Sequence, residues 1–370
     1  MMTEKKPAVI VLEDGTVFHG NAVGSIGKTS GELAFNTGMT GYQEVFTDPS
    51  YLGQLIIMTA SHIGNYGTAK EEMESDRIQC AGIIVKNFSD VSSRVRADLT
   101  LQEFLEKDQI VGISDIDTRA LVRHVRSKGA MNAVISSEEG FSVDALKKEV
   151  KDVPSMEGLE LASRVSTKES YISSSTTGTN KYKVAIIDFG VKRNITRCLN
   201  ERNCEVQVFP MDATVEDIEQ YKPTGIVLSN GPGDPAVMKS SKDFVSCLID
   251  TGLPIFGICM GHQLLALSQG LKTEKMHQGH RGINHPVINH RTKKGEITSQ
   301  NHGFVVSRES AEANDEIEIT HSHLNDNSVA GIAIKNKPIF SVQYHPESSA
   351  GPHDSRYLFD YFIQIMDANK

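Results

Sequence analysis

Between residues 183 and 270, short apolar runs alternate with amphipathic stretches. The segments "KVAIIDFG", "CEVQVFP", "TGIVLSNGPGDP" and "LPIFGI" read as strands, and "VKRNITRCLNERN", "KDFVSCLIDTG" and "GHQLLALSQG" as helices. Such alternation predicts a mostly parallel, open sheet with helices on both faces, an α/β fold. Sites in such sheets form at the carboxyl ends of the strands. From about residue 272 the pattern turns strand-rich, ending in "PIFSVQYHPESS" and a last helix "SRYLFDYFIQIMDAN".

Residues 164–183, "RVSTKESYISSSTTGTNKYK", crowd Ser, Thr, Gly and Asn together without apolar periodicity, as a linker does. The expected domains are therefore 1–165, a linker at 166–182, and 183–370. A chain of 370 residues has room for two, since compact domains run to about 100–200 residues. Before the linker, "AVIVLEDGTVFHG", "GELAFNTGM", "GQLIIMTA" and "CAGIIVKNF" read as strands, with helices at "TRALVRHVRSKG" and "SVDALKKEV". That predicts a smaller domain of mixed α and β. No internal repeat is found.

A net charge of −9 argues against nucleic acid or an anionic membrane as partner, because both need a concentrated basic surface. No apolar run approaches the roughly 18–20 residues that cross a bilayer, and the opening "AVIVL" is too short for a signal segment. Five cysteines without a C-x-x-C pair fit a reducing compartment, so the expected location is cytoplasmic.

Of those cysteines, only Cys259 has a local context that suits a nucleophile. It sits where "LPIFGI" turns into a helix, flanked by Gly257 and Gly261. A strand-to-helix turn of that kind can lift a strained side chain clear of the sheet, with a helix N-terminus beneath it to favour thiolate. A buried cysteine can also be a small hydrophobe. A cysteine nucleophile needs a base, and the base an orienting group. His345 and Glu347, split by the rigid Pro346, follow the strand-like "IFSVQY", although the same residues could make a surface turn. Gly231-Pro232-Gly233 after another strand could aim backbone N–H groups at an oxyanion, or be a simple turn.

The three motifs in this order, "NGPGDP", "GICMGHQLLA" and "QYHPES", resemble the class I, triad-type glutamine amidotransferases, over about residues 183–367. The resemblance implies Cys259 as nucleophile on L-glutamine, His345 as base and acid, and Glu347 as its orienting partner. It implies an oxyanion hole from the Gly231 and Met260 amides. Glutamine-binding positions would be Gly233, Gln263, Asn301, Gly303 and Phe304, the last three within "SQNHGFVV". Without it, those three would pass for a turn before a strand. Met260 stands where leucine is frequent in the family, which a backbone amide tolerates.

The first domain narrows the family. "LAFNTGMTGYQEVFTDPSYLGQLIIMT", "HIGNYG" and "DTRALVRHVRSKGAM" resemble the amino-terminal domain of the small subunit of glutamine-dependent carbamoyl-phosphate synthetase. This implies that Ser50 of "TDPSY" reaches the bound glutamine, although the residues alone suggest a turn. It also implies a heterodimer, in which a large synthetase subunit receives ammonia and makes carbamoyl phosphate from bicarbonate and ATP. Pyrimidine and arginine synthesis are both open as destinations. No cofactor is expected in this chain; ATP and a divalent metal belong to the partner. The segment "GSIGKTSG" imitates a phosphate loop, but the earlier glycine falls on Ala22 and no helix pattern follows. Rival readings are the glutaminase part of another synthetase, a redox thiol, or a non-catalytic docking subunit.

The remaining polar residues suggest less. His277, His280, His285 and His290 lack the spacing of a zinc site, so no metal is expected. His321 and His323 alternate on a strand and are read as exposed polar residues. Asp188 and Asp234 are read as loop or capping residues.

Overall fold

A computed structural model of the chain describes residues 5–173, 178 and 180–369. The chain divides into two compact units, Met1–Met156 with His277–Arg281, and Glu157–Met276 with Gly282–Lys370. Residues 174–177 and 179 of the expected linker lie outside the described residues. Tyr171–Ser173, just before them, forms a strand antiparallel to Cys204–Pro210.

The first unit is built on a closed barrel. Its strands run in the order Pro7–Leu12, Val17–Gly24, Val111–Ser114, Gly82–Ile84, Gln54–Met58, Lys28–Asn36 and Asn132–Ser136. The last pairs antiparallel with the first. Side chains alternate across a strand, and the register turns that alternation into two apolar layers. Ala8, Ile10, Leu12, Leu33, Leu55, Ile57, Ile113 and Ile135 share one cluster with Leu121 and Val125 of the helix Thr118–Lys128. Residues of the other parity, Ala34, Ile56, Met58 and Ile83, pack with Tyr42, Phe46, Leu101, Phe104 and Leu105 from two further helices. Lys28 begins a strand directly after the Gly27 turn, so the imitation phosphate loop leads from strand to strand.

The second unit holds one ten-stranded sheet. Its parallel centre runs Cys204–Pro210, Tyr182–Asp188, Gly225–Leu228, Ile255–Ile258 and Ile339–Val342. The centre is buried on both faces, which is why its strands read as unbroken apolar runs. Ala185, Ile187, Ile226 and Leu228 pack on one side with Leu264 and Leu265 of the helix Met260–Ser268. Val184, Ile186, Val227, Phe256 and Ile258 pack on the other with Phe359 and Phe362 of the helix Tyr357–Ala368. Beyond Ile339–Val342 the sheet continues through Val329–Ile334, Ile317–His323, Thr273–Asn289 and Lys294–Val306, with the first three links antiparallel. The sequence expectation of an open α/β sheet flanked by helices holds, and its strand-rich end is an antiparallel wing of the same sheet.

This wing corrects one expectation. His321 and His323 are not exposed polar residues; they are only 4% and 2% exposed. Burial pushes the His321 pKa down to about 4, so it is neutral, and Thr320 Oγ1 lies 2.9 Å from its Nδ1. His323 Nε2 lies 3.1 Å from His285 Nδ1.

Candidate active site

Cys259 occupies the turn between the strand Ile255–Ile258 and the helix Met260–Ser268, with φ 52° and ψ −100°. A positive φ is costly for any residue with a Cβ and persists only where surrounding packing enforces it. Here the enforcement is visible. The Cys259 N–H donates to Val342 O at 2.9 Å, and the Gly261 N–H to Ser229 O at 2.9 Å, so both neighbouring strands grip the turn. A Cβ on Gly261 would lie 2.2 Å from Leu228 O, and one on Gly257 would lie 2.9 Å from Gly261 O. Only glycine fits either place, as the sequence suggested.

Around the sulfur, polar groups come from three elements. Sγ lies 3.6 Å from Asn301 O and 3.7 Å from Gln343 Nε2. Gln263, on the helix that follows the cysteine, donates through Nε2 to Phe304 O at 2.7 Å and to Gln343 Oε1 at 3.1 Å. Asn301, Gly303 and Phe304 lie inside the strand Lys294–Val306, not in a turn before it.

His345 follows the strand Ile339–Val342 and is tied to the neighbouring strand by its N–H to Ser299 O at 2.9 Å. Its Nδ1 meets Glu347 Oε1 at 2.7 Å, and both side chains are buried. Nε2 has no hydrogen-bond partner among the described residues. Burial alone would lower the His345 pKa; the Glu347 carboxylate and Cys259 beside the ring outweigh it and raise it to about 10. Burial would raise Glu347, yet the Lys192 and His345 charges hold it down to about 2.

Lys192 has no counterpart in the sequence reading. It is 3% exposed, with Nζ 3.0 Å from Glu347 Oε1 and 2.7 Å from Ser348 O. Nothing in "GVKRN" distinguishes it from a solvated lysine, because its partner is 155 residues away and only the fold brings the two together. Gln343 also went unread, as an alternating polar position on an apolar strand.

In the glycine loop, neither Gly231 nor Gly233 has room for a side chain. A Cβ on Gly231 would lie 2.2 Å from Phe189 O, and Gly233 takes φ +95° with Leu159 O 2.7 Å from where a Cβ would stand. Met260 opens its helix, where N–H groups have no intrahelical acceptor. Asp234 caps the short turn Pro235–Val237, as expected of a capping acid, and Asp188, the last residue of its strand, accepts from the Gly190, Val191 and Thr167 N–H groups. Ser50 lies in the first unit, on the turn Pro49–Tyr51, with its N–H donating to Asp48 Oδ1 at 2.9 Å. Three other cysteines, Cys80, Cys198 and Cys204, are buried, which pushes their pKa values up to about 12 and leaves them inert thiols.

Residues 185–365 match the glutamine amidotransferase class-I family, and residues 10–135 match the carbamoyl-phosphate synthase small chain, CPSase domain. Among curated proteins, the chain is 48% identical to the carbamoyl phosphate synthase small chain of Synechococcus sp., covering 99% of this chain and 95% of that one. It is 44% identical to that of Streptomyces coelicolor over 99% of this chain and 97% of the relative, and 46% identical to that of Chlorobaculum tepidum over 98% and 99%. With both parts matched in order and relatives aligned from end to end, the chain belongs to the carbamoyl phosphate synthase small chain family, and its second unit is a class-I glutamine amidotransferase domain.

Proposed function

We propose that this chain hydrolyses L-glutamine to glutamate and ammonia through a thioester on Cys259, and delivers the ammonia to a large synthetase subunit that makes carbamoyl phosphate from bicarbonate and ATP. The observation that carries the reading is the buried His345, held through Nδ1 by Glu347, with Nε2 left without a partner among the described residues and its pKa raised by Glu347 and Cys259. That arrangement fixes the tautomer, so that Nε2 is the nitrogen that exchanges protons with the sulfur and the leaving group.

Nε2 takes the Cys259 thiol proton as Sγ attacks the side-chain amide carbon, and the resulting oxyanion is received by the N–H groups of Gly231 and Met260. The tetrahedral adduct collapses, the C–N bond breaks, and Nε2–H protonates the departing ammonia, leaving a γ-glutamyl thioester. Water then attacks the thioester as Nε2 takes its proton; glutamate departs and Sγ recovers a proton from the imidazolium. Gly233, Gln263, Asn301, Gly303 and Phe304 are assigned to holding the glutamine. Lys192 acts through Glu347 as a positioning residue.

The test measures ammonia release from glutamine by the chain alone and with its large subunit, bicarbonate and ATP, beside Cys259→Ser. The variant should lose more than about 10³-fold of glutamine hydrolysis, while its complex still makes carbamoyl phosphate from added ammonia. Undiminished glutamine use by Cys259→Ser would overturn the nucleophile assignment.

A further inference from the structure

Gln343 follows the strand Ile339–Val342 and is buried, with its backbone N–H donating to Ala330 O at 3.0 Å. A buried side-chain amide is costly unless its donors and its acceptor find partners. The partners of this one fix which way it faces. A backbone carbonyl can only accept, so the Gln263 Nε2 that lies 2.7 Å from Phe304 O is a donor there, and the same nitrogen directs its second hydrogen to Gln343 Oε1 at 3.1 Å. With its oxygen committed to Gln263, Gln343 turns Nε2 toward Cys259 Sγ, 3.7 Å away. The reverse orientation would set a nitrogen against the Gln263 donor and an oxygen against the sulfur.

The sulfur therefore stands between one acceptor and one donor. Asn301 O, at 3.6 Å, can be served only by the neutral thiol. The Gln343 N–H bonds more strongly to the thiolate, because a hydrogen bond to an ionised acceptor is roughly twice as strong as one between neutral groups. A donor that prefers the charged form of an acid favours its ionisation. His345 interacts with the same sulfur and is tied in turn to Glu347 and Lys192, so thiol and imidazole titrate as a coupled pair. Gln343 adds no charge to that set and biases the pair toward thiolate and imidazolium.

We propose that Gln343 is a further catalytic residue, an amide donor that favours the anionic sulfur of Cys259 when His345 takes the thiol proton, and again when the C–S bond of the thioester breaks and the sulfur leaves. Gln343 gives up no proton in either step. The inference rests on the glutaminase chemistry proposed above and adds a residue to it.

The test titrates the full-length chain by thiolate ultraviolet absorbance, each form read against the same form carrying Cys259→Ser, and measures kcat and KM for glutamine hydrolysis alongside. Gln343→Glu keeps an acceptor for Gln263 and replaces the donor to sulfur with an oxygen; Gln343→Met removes both polar atoms at similar length. In both, the pH midpoint for thiolate formation should rise by at least about one unit, a ten-fold loss of thiolate at a given pH. For Gln343→Glu, kcat should fall at least about ten-fold while KM stays within about three-fold. Either variant suffices where the other fails to fold. Midpoints within about 0.2 unit of the parent would overturn the proposal whatever happens to the rate, because a residue that only props the site lowers kcat without moving the titration. Midpoints that rise in a chain whose parent form releases no ammonia from glutamine would uphold the hydrogen bond to sulfur and sink the glutaminase reading, so the two failures are distinguishable.

Discussion

Glu347 is where chemistry and stability meet in a single residue. Its carboxylate faces Lys192 at 3.0 Å and His345 at 2.7 Å in a fully buried setting. Glu347→Gln keeps the shape but leaves the Lys192 charge buried without a carboxylate, so we expect a loss of about 3–5 kcal/mol at pH 7 by urea denaturation. Hydrolysis of glutamine should fall by roughly 10²–10⁴, because the imidazole loses the partner that fixes its tautomer. The pH dependence has a definite sign. The folded pKa of Glu347, about 2, lies below its ordinary value of 4.5, so its contribution is fully present above about pH 4.5 and is lost as pH falls toward 2. The stability gap between parent and variant should therefore narrow as pH falls from about 4.5 toward 2. A gap that widened instead would mean that Lys192 draws its compensation from elsewhere. The sequence suggested that Glu347 and His345 pair, since two residues around a proline are a local pattern. It could not identify Lys192, whose burial depends on a contact across most of the domain.

The turn that carries Cys259 shows the same contrast between elements. Its strand, its helix and the glycines at 257 and 261 were legible because a tight strand-to-helix turn leaves a local signature. Gly261→Ala would bring a Cβ to 2.2 Å from Leu228 O and 2.5 Å from Leu228 Cβ, and neither atom belongs to a flexible chain end. We expect a loss of about 1–3 kcal/mol and disproportionate loss of glutamine hydrolysis, since relief of the clash must move the helix start that holds Met260. Gly270→Ala provides the control: its φ of +79° carries strain, yet no atom lies within 4 Å of the added Cβ. It should lose stability without a comparable loss of rate, and equal rate losses in both would refute the steric account. The antiparallel wing was less legible. Its strands were read from composition, but not the burial of His321 and His323, because alternation on a strand does not reveal whether the second face is covered.

At the level of the whole chain, the parallel centre of the second sheet was readable because consecutive strands and helices pack beside one another. The closed barrel was not. It pairs Lys28–Asn36 with Asn132–Ser136 and Val17–Gly24 with Val111–Ser114, contacts roughly a hundred residues apart that leave no mark in local periodicity. Nor could the sequence anticipate that His277–Arg281, far beyond the Ser- and Thr-rich stretch, belongs to the first unit. In that unit His277 O accepts the Ala130 N–H at 2.6 Å, His277 Nε2 lies 3.1 Å from Arg126 O, and Arg281 O accepts the Thr37 N–H at 3.3 Å. A fragment ending at Met156 lacks all of these partners, and backbone groups that lose them must find water or remain unsatisfied. The fragment 1–156 should therefore exchange its Ala130 and Thr37 amide hydrogens at least about ten-fold faster than the full chain does, while amides of the barrel strands such as Ile10 and Ile56 keep more of their protection. Protection at Ala130 and Thr37 equal to that in the full chain would show that residues 277–281 contribute nothing to holding the first unit together.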